Sequence, residues 1–163
     1  MSFCEEFQKV QYCQEAIRSL LQYSKAYKSL NSIIKITWGI SNWSNIPQLK
    51  DCLSKEELKE CLDYMIFHSK SDKEKIASNS TRGIGFFITN FSDTFEMETC
   101  RSAIIKNLSH SILKVRTNST KTLRSMATKK LLGKDENEVK EIIQNLISIL
   151  EQNILRNNYH LQT

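Results

Sequence analysis

Three histidines and five cysteines are the side chains in this sequence best suited to metal or nucleophilic chemistry, and their spacing organises neither. His68, His110 and His160 stand apart from one another and from the cysteines, whereas zinc needs about four convergent donors. Cys4, Cys13, Cys52, Cys61 and Cys100 are odd in number and contain no C-x-x-C pair. No single stretch sets a serine or cysteine beside a base. Gly83-Ile84-Gly85 has the outline of a phosphate loop but lacks the preceding strand, a third glycine and the lysine that such a loop needs. The expectation is a chain without catalytic residues, metal or cofactor.

Two other patterns bear on function. Asn42, Asn79, Asn90, Asn107 and Asn118 each open an Asn-x-Ser/Thr sequence. In a secreted protein these would accept glycans. The start Met1-Ser2-Phe3-Cys4-Glu5-Glu6 is acidic and polar, unlike a signal peptide, and most of these asparagines fall within predicted helices, so they are expected to be unmodified. The second pattern is basic. At 100° per residue, Lys114, Lys121, Ser125 and Lys129 share one side of a predicted helix, flanked by Asn118 and Arg124, and Lys130 and Lys134 extend the charge beyond its end. A solubilising face is the plain reading. The functional one is a contact surface of Lys114, Lys121, Arg124 and Lys129 for a protein partner with an acidic segment. Nucleic acid is the alternative, but the stripe has no interleaved aromatics to stack on bases, and a net charge of +5 is modest for many phosphate contacts. Arg116, at the edge of the packing face, is expected to bond helix-end carbonyls of a following repeat.

The elements that carry these residues are helices. With four glycines and one proline in 163 residues, 40% apolar and 25% charged, the composition is that of an ordered, all-α chain. Apolar rhythm predicts a first helix over 5–22, with Phe7, Val10, Ala16, Ile17, Leu20 and Leu21 inward and Tyr12, Tyr23 and Tyr27 at its rim. A second, over 31–43, is apolar nearly all round and is expected to be central and buried. Ser54 and Glu57 form a capping box, with Leu53 and Leu58 at the staple positions. That helix presents Leu58, Cys61, Leu62, Met65 and Ile66, and Ser71 or Asp72 caps the next, over 73–90. Asp93 with Glu96 opens a helix over 94–111, striped by Met97, Cys100, Ile104, Ile105, Leu108 and Ile112. The following helix, over 114–131, packs through Val115, Leu123, Met126 and Ala127, and Gly133 is its natural C′ residue. Asp135 and Glu138 cap the last, over 136–157, whose stripe runs Val139, Ile142, Ile143, Leu146, Ile149, Leu150 and Ile154. Cys61 and Cys100 lie on apolar stripes, which suits reduced thiols in a cytoplasmic or nuclear protein. No apolar run approaches the length of a membrane span.

The chain also repeats itself. Lys75-Ile76-Ala77-Ser78-Asn79-Ser80-Thr81-Arg82-Gly83-Ile84 returns thirty-nine residues later as Lys114-Val115-Arg116-Thr117-Asn118-Ser119-Thr120-Lys121-Thr122-Leu123. Thr37-Trp38-Gly39-Ile40 is a weaker copy of Thr81-Arg82-Gly83-Ile84. A period near forty predicts stacked helix pairs, over about 5–43, 54–90 and 94–131, plus the final helix, in one domain or a segment of a longer array. The glycines at 83 and 85 each cost about 1 kcal/mol inside a helix, so close helix approach is expected there. In a closed bundle the two Asn-Ser-Thr helices would face each other across a core. In a stack they would lie side by side and parallel.

Lys114-Val115-Arg116 followed by Asn118, Thr120, Leu123 and Met126 resembles the second helix of a HEAT repeat. Trp38-Gly39-Ile40-Ser41-Asn42-Trp43 is similar to the related armadillo pattern. Ala77 replaces the arginine of the last copy, and the aspartate that precedes valine-arginine in the family is absent. The resemblance covers residues 31–131 and implies an α-α superhelix (a HEAT/armadillo-like solenoid) of about seven helices. It implies a non-enzymatic scaffold for protein partners, with no catalytic residues to carry over.

Overall fold

Capping and apolar spacing cut the chain into helices close to where the residues predict them. The computed structural model describes residues 3–94, 97–133 and 135–160, and side chains from 11 to 151 within those ranges. The predicted positions Cys4, Phe7, Val10, Glu96, Lys134, Ile154 and His160 therefore lie outside the described side chains. The chain is all-α: α1 (Phe3–Ala26), α2 (Leu30–Trp43), α3 (Lys55–His68), α4 (Glu74–Asn90), α5 (Glu98–Lys106), α6 (Leu113–Thr128) and α7 (Glu136–His160). Short 3₁₀ turns at Pro47–Asp51 and Asn107–Ser109 join them, and no strand occurs among the described residues. None of the described helices is long and apolar enough to cross a membrane.

The Ser54–Glu57 box forms as its residues require. The Glu57 amide donates to Ser54 Oγ (3.1 Å) and the Ser54 amide to Glu57 Oε2 (2.8 Å), while Leu53 and Leu58 are buried. At α7, Asp135 Oδ1 accepts from the amides of Asn137 and Glu138, both at 2.9 Å. Several boundaries differ from expectation: α1 runs on to Ala26, α5 ends at Lys106, and three more differ for reasons the side chains show. Ser71 Oγ accepts from the Lys73 amide in a turn before α4, and Lys73 takes the N-cap position without a side-chain bond. α5 starts at Glu98 rather than Thr94, because the fully buried Phe91 anchors a turn in which the Thr94 amide bonds the Phe91 carbonyl at 2.9 Å. α6 stops at Thr128 in a Schellman motif: Leu131 N–H reaches Met126 O (2.8 Å) and Lys130 N–H reaches Ala127 O (3.2 Å). Lys130, at φ 57°, holds the left-handed position assigned to Gly133. Gly133 serves close approach instead, since a Cβ there would lie 3.0 Å from the Val139 backbone nitrogen.

The helices form two layers. α4 packs against α2 on one side and α6 on the other, with α3 and α5 beneath. Polar side chains measure the alignment. Asn118 Nδ2 donates to Ser78 O (3.0 Å) near the start of α4 and α6, and Lys129 Nζ donates to Thr89 O (2.9 Å) at their ends. Both bonds join residues forty apart, so the two helices lie side by side and parallel. Arg82 bonds Ser41 Oγ and Asn42 Oδ1 (both 2.9 Å), and Asn90 Nδ2 reaches Ser44 O (2.9 Å), which sets α2 and α4 the same way. Each later helix of this layer thus caps the carbonyl end of the one before it. In the other layer, Gln14 with Cys52 O (2.5 Å), Arg18 with Glu57 (2.5 Å) and Lys25 with Glu60 (2.9 Å) pair α1 with α3 in parallel.

α4, not α2, is the central helix. Ten of its residues are buried, among them Ala77, Ser78, Ser80 and Thr81, whereas α2 leaves Trp38 58% exposed. Small residues admit neighbours on several sides. A Cβ on Gly83 would collide with the buried Met65 and lie 3.3 Å from Ser41 Cα, and one on Gly85 would lie 2.5 Å from Thr122 Oγ1. These glycines sit in mid-helix with no positive φ, so they form no phosphate loop.

Candidate cationic groove

α6 exposes Lys114, Lys121, Arg124 and Lys129, and its neighbours divide them. Between α4 and α6 runs a groove of about 450 Å³ with Lys121, Lys129 and Arg82 along it, Asn118 and Ser125 beside them, and the half-buried Phe86 in the floor. No described acidic residue lines it. Two of the three cations are already engaged: Lys129 with the Thr89 carbonyl, and Arg82 with Ser41 and Asn42. Lys121 makes no ion pair among the described residues and is the groove's free charge.

Arg124 lies elsewhere. With Arg116 it borders a cleft of about 550 Å³ between α6 and α7, whose walls include Leu123, Ala127, Leu146 and Leu150. Ala127, expected to be packed, is exposed in that cleft. Lys114 lines neither space and sits in the first turn of α6. Arg116 does bond helix-end carbonyls, but those of the preceding turn: Nη1 reaches His110 O (2.7 Å) and Ser111 O (2.8 Å). Arg82 and Phe86 were outside the sequence prediction. The signal for Arg82 was the repeat itself, in which it holds the slot of Lys121.

The remaining chemical candidates have structural tasks. His68 packs its ring on Tyr64 (4.4 Å) and Phe67 (5.0 Å), and burial, then Lys28, lowers its pKa. His110 Nδ1 accepts from the Ile112 amide at 3.1 Å. Burial pushes the Cys61 thiol up to about 12 and Cys100 up to about 11, which keeps both neutral and poorly nucleophilic. No three metal-donor side chains converge among the described residues. Asn90, Asn107 and Asn118 donate their side-chain amides to neighbouring elements, the buried Asn107 to Thr81 Oγ1 at 3.1 Å, and Asn42 accepts from Arg82 through Oδ1.

Compared with known protein families, curated proteins and solved structures, the chain finds no match.

Proposed function

We propose that this chain is a non-enzymatic protein-interaction module built as a HEAT/armadillo-like solenoid, and that the α4–α6 groove receives an acidic segment of a protein partner. The observation that carries the reading is the pair of forty-residue bonds, Asn118 to Ser78 and Lys129 to Thr89. They put two copies of one sequence motif in parallel, as stacking of repeats requires and a closed bundle does not. Stacking also brings Arg82 and Lys121, equivalent residues of successive copies, to one groove without an opposing carboxylate. Neutral, buried thiols at Cys61 and Cys100 fit a binding role in the cytoplasm or nucleus.

The test is affinity capture from lysate at low and high salt, with nuclease-treated lysate as control, comparing wild type with a variant carrying glutamate at Lys121 and Lys129, the two lysines that line the groove. Protein partners that survive nuclease and are lost with the variant support the proposal. Partners unchanged by the variant overturn the basic-face assignment. Phe86, an aromatic in the cationic groove, favours single-stranded nucleic acid as a second reading. Recovery that disappears with nuclease, and binding that falls steeply with salt, would put that reading first.

A further inference from the structure

From the cleft between α6 and α7, which is separate from the α4–α6 groove, we infer that the chain forms a twofold dimer in which each α7 fills the α6–α7 cleft of the other copy. Three observations lead there.

The first is an unpartnered stripe. Ile143, Ile147 and Leu150 recur at spacings of four and three residues, as in the seam between paired helices. They are 45%, 49% and 61% exposed, and Leu150 also lines the chain's own cleft beside Leu146 and Ile149, one step round the helix. The apolar surface therefore runs unbroken from α7 into the cleft.

The second is charge. α6 carries Lys114, Arg116, Lys121 and Arg124 and no acidic residue. From Glu136 to Glu151, α7 carries four glutamates and one lysine; Glu136 pairs with Lys140 and Glu138 with Arg101, which leaves Glu141 and Glu151 without an ion pair among the described residues. The cleft is apolar with Arg116 and Arg124 at its border, so its complement is an apolar helix with an acidic balance. α7 is such a helix.

The third is direction. α7 returns antiparallel to α6 after a short link. A twofold axis across α7 presents the second α7 antiparallel to the first, and hence parallel to α6. It would continue the α2–α4–α6 layer in the sense that layer already has. One patch then serves both copies, as an isologous contact requires.

Sedimentation velocity on the full chain over a hundredfold concentration range tests this. A concentration-dependent dimer is expected. Leu150→Asp should give monomer with helical circular dichroism unchanged and the melting temperature of the wild type at dilutions where that is monomeric. Arg124→Glu should weaken dimerisation at least tenfold, and Arg124→Lys should restore most of it. Because Arg124 is exposed, its substitution separates lost association from lost folding. A chain that stays monomeric throughout overturns the inference and leaves the cleft to a different acidic helix. A dimer indifferent to both Leu150→Asp and Arg124→Glu overturns it as well, by placing the contact elsewhere.

Discussion

The junctions on the two sides of α6 are built differently. Toward α4, small residues and asparagine or lysine bonds to backbone carbonyls bring the helices together, with Gly85 against Thr122 and Ser78 beneath Asn118. Toward α7 the side chains are large and aliphatic, yet a cleft remains and none of the described α7 residues is fully buried. Apolar content thus does not decide which interface closes. Closure follows from shape and from donors placed to meet carbonyls at one offset. A leucine-rich face without such matching stays available.

The contrast can be broken most sharply at Gly85. Gly85→Val would drive methyl groups into Thr122 of α6, and overpacking of this kind should lower stability by about 3 kcal/mol in urea unfolding. The opposite control is Ile147→Ala on the open side, where a change within about 0.5 kcal/mol is expected for the monomer because the side chain is half in water.

A charge pair adds to the apolar packing of Leu146 in holding α7. The Arg101 guanidinium is nearly buried and meets the Glu138 carboxylate. Glu138→Gln should cost about 2 kcal/mol, less than a fully buried pair because Glu138 is partly exposed, and hydrogen exchange should rise first in α7. Equal protection changes in α4 and α7 would mean that the two junctions melt as one.

A smaller effect is expected from acid at the α1–α3 junction. The side-chain bond from Arg18, followed by the Ser54 backbone bond, outweighs desolvation and lowers the Glu57 pKa below 4.5. The folded state therefore holds its proton less tightly than the unfolded one, and the stabilisation is present above pH 4.5 and lost as pH falls through the depressed value. Glu57→Gln should flatten the pH dependence of unfolding below that point. The smallest change expected is a gain: Lys130→Gly removes a left-handed lysine after α6 and should raise stability by about 0.5–1 kcal/mol, read as a higher melting temperature.

These residues also mark how far the sequence could be read. Helix positions followed from local rules, and Ser54, Glu57 and Asp135 cap where their chemistry places them. Asn118 and Lys129 each bond a residue forty positions back, close to the thirty-nine-residue offset of the copied motif. Centrality was misread because hydropathy counts apolar area. α2 is richer in isoleucine and tryptophan, but α4 has the small side chains that let helices approach on several sides. The start of α5 was misplaced because a buried Phe91 turn outcompeted an acidic cap. The division between Lys121 and Arg124 was invisible on a single-helix projection. Sixty degrees of arc looks like one face until α4 and α7 stand on either side of it.

Because α2, α4 and α6 run the same way, their peptide dipoles add instead of cancelling. The carbonyl ends are answered within the layer, where Asn90 reaches Ser44 and Lys129 reaches Thr89. At the amide ends, neither α2 nor α6 has an acidic residue in its first turn, Glu74 supplies one for α4, and α6 opens with Lys114. Within the layer that edge is therefore the positive one, offset in part by the carbonyl ends of α3 and α5, which finish just before α4 and α6 begin. Salt of ~0.1 M screens what remains over about 10 Å, so an anion meets it only in the last part of its approach.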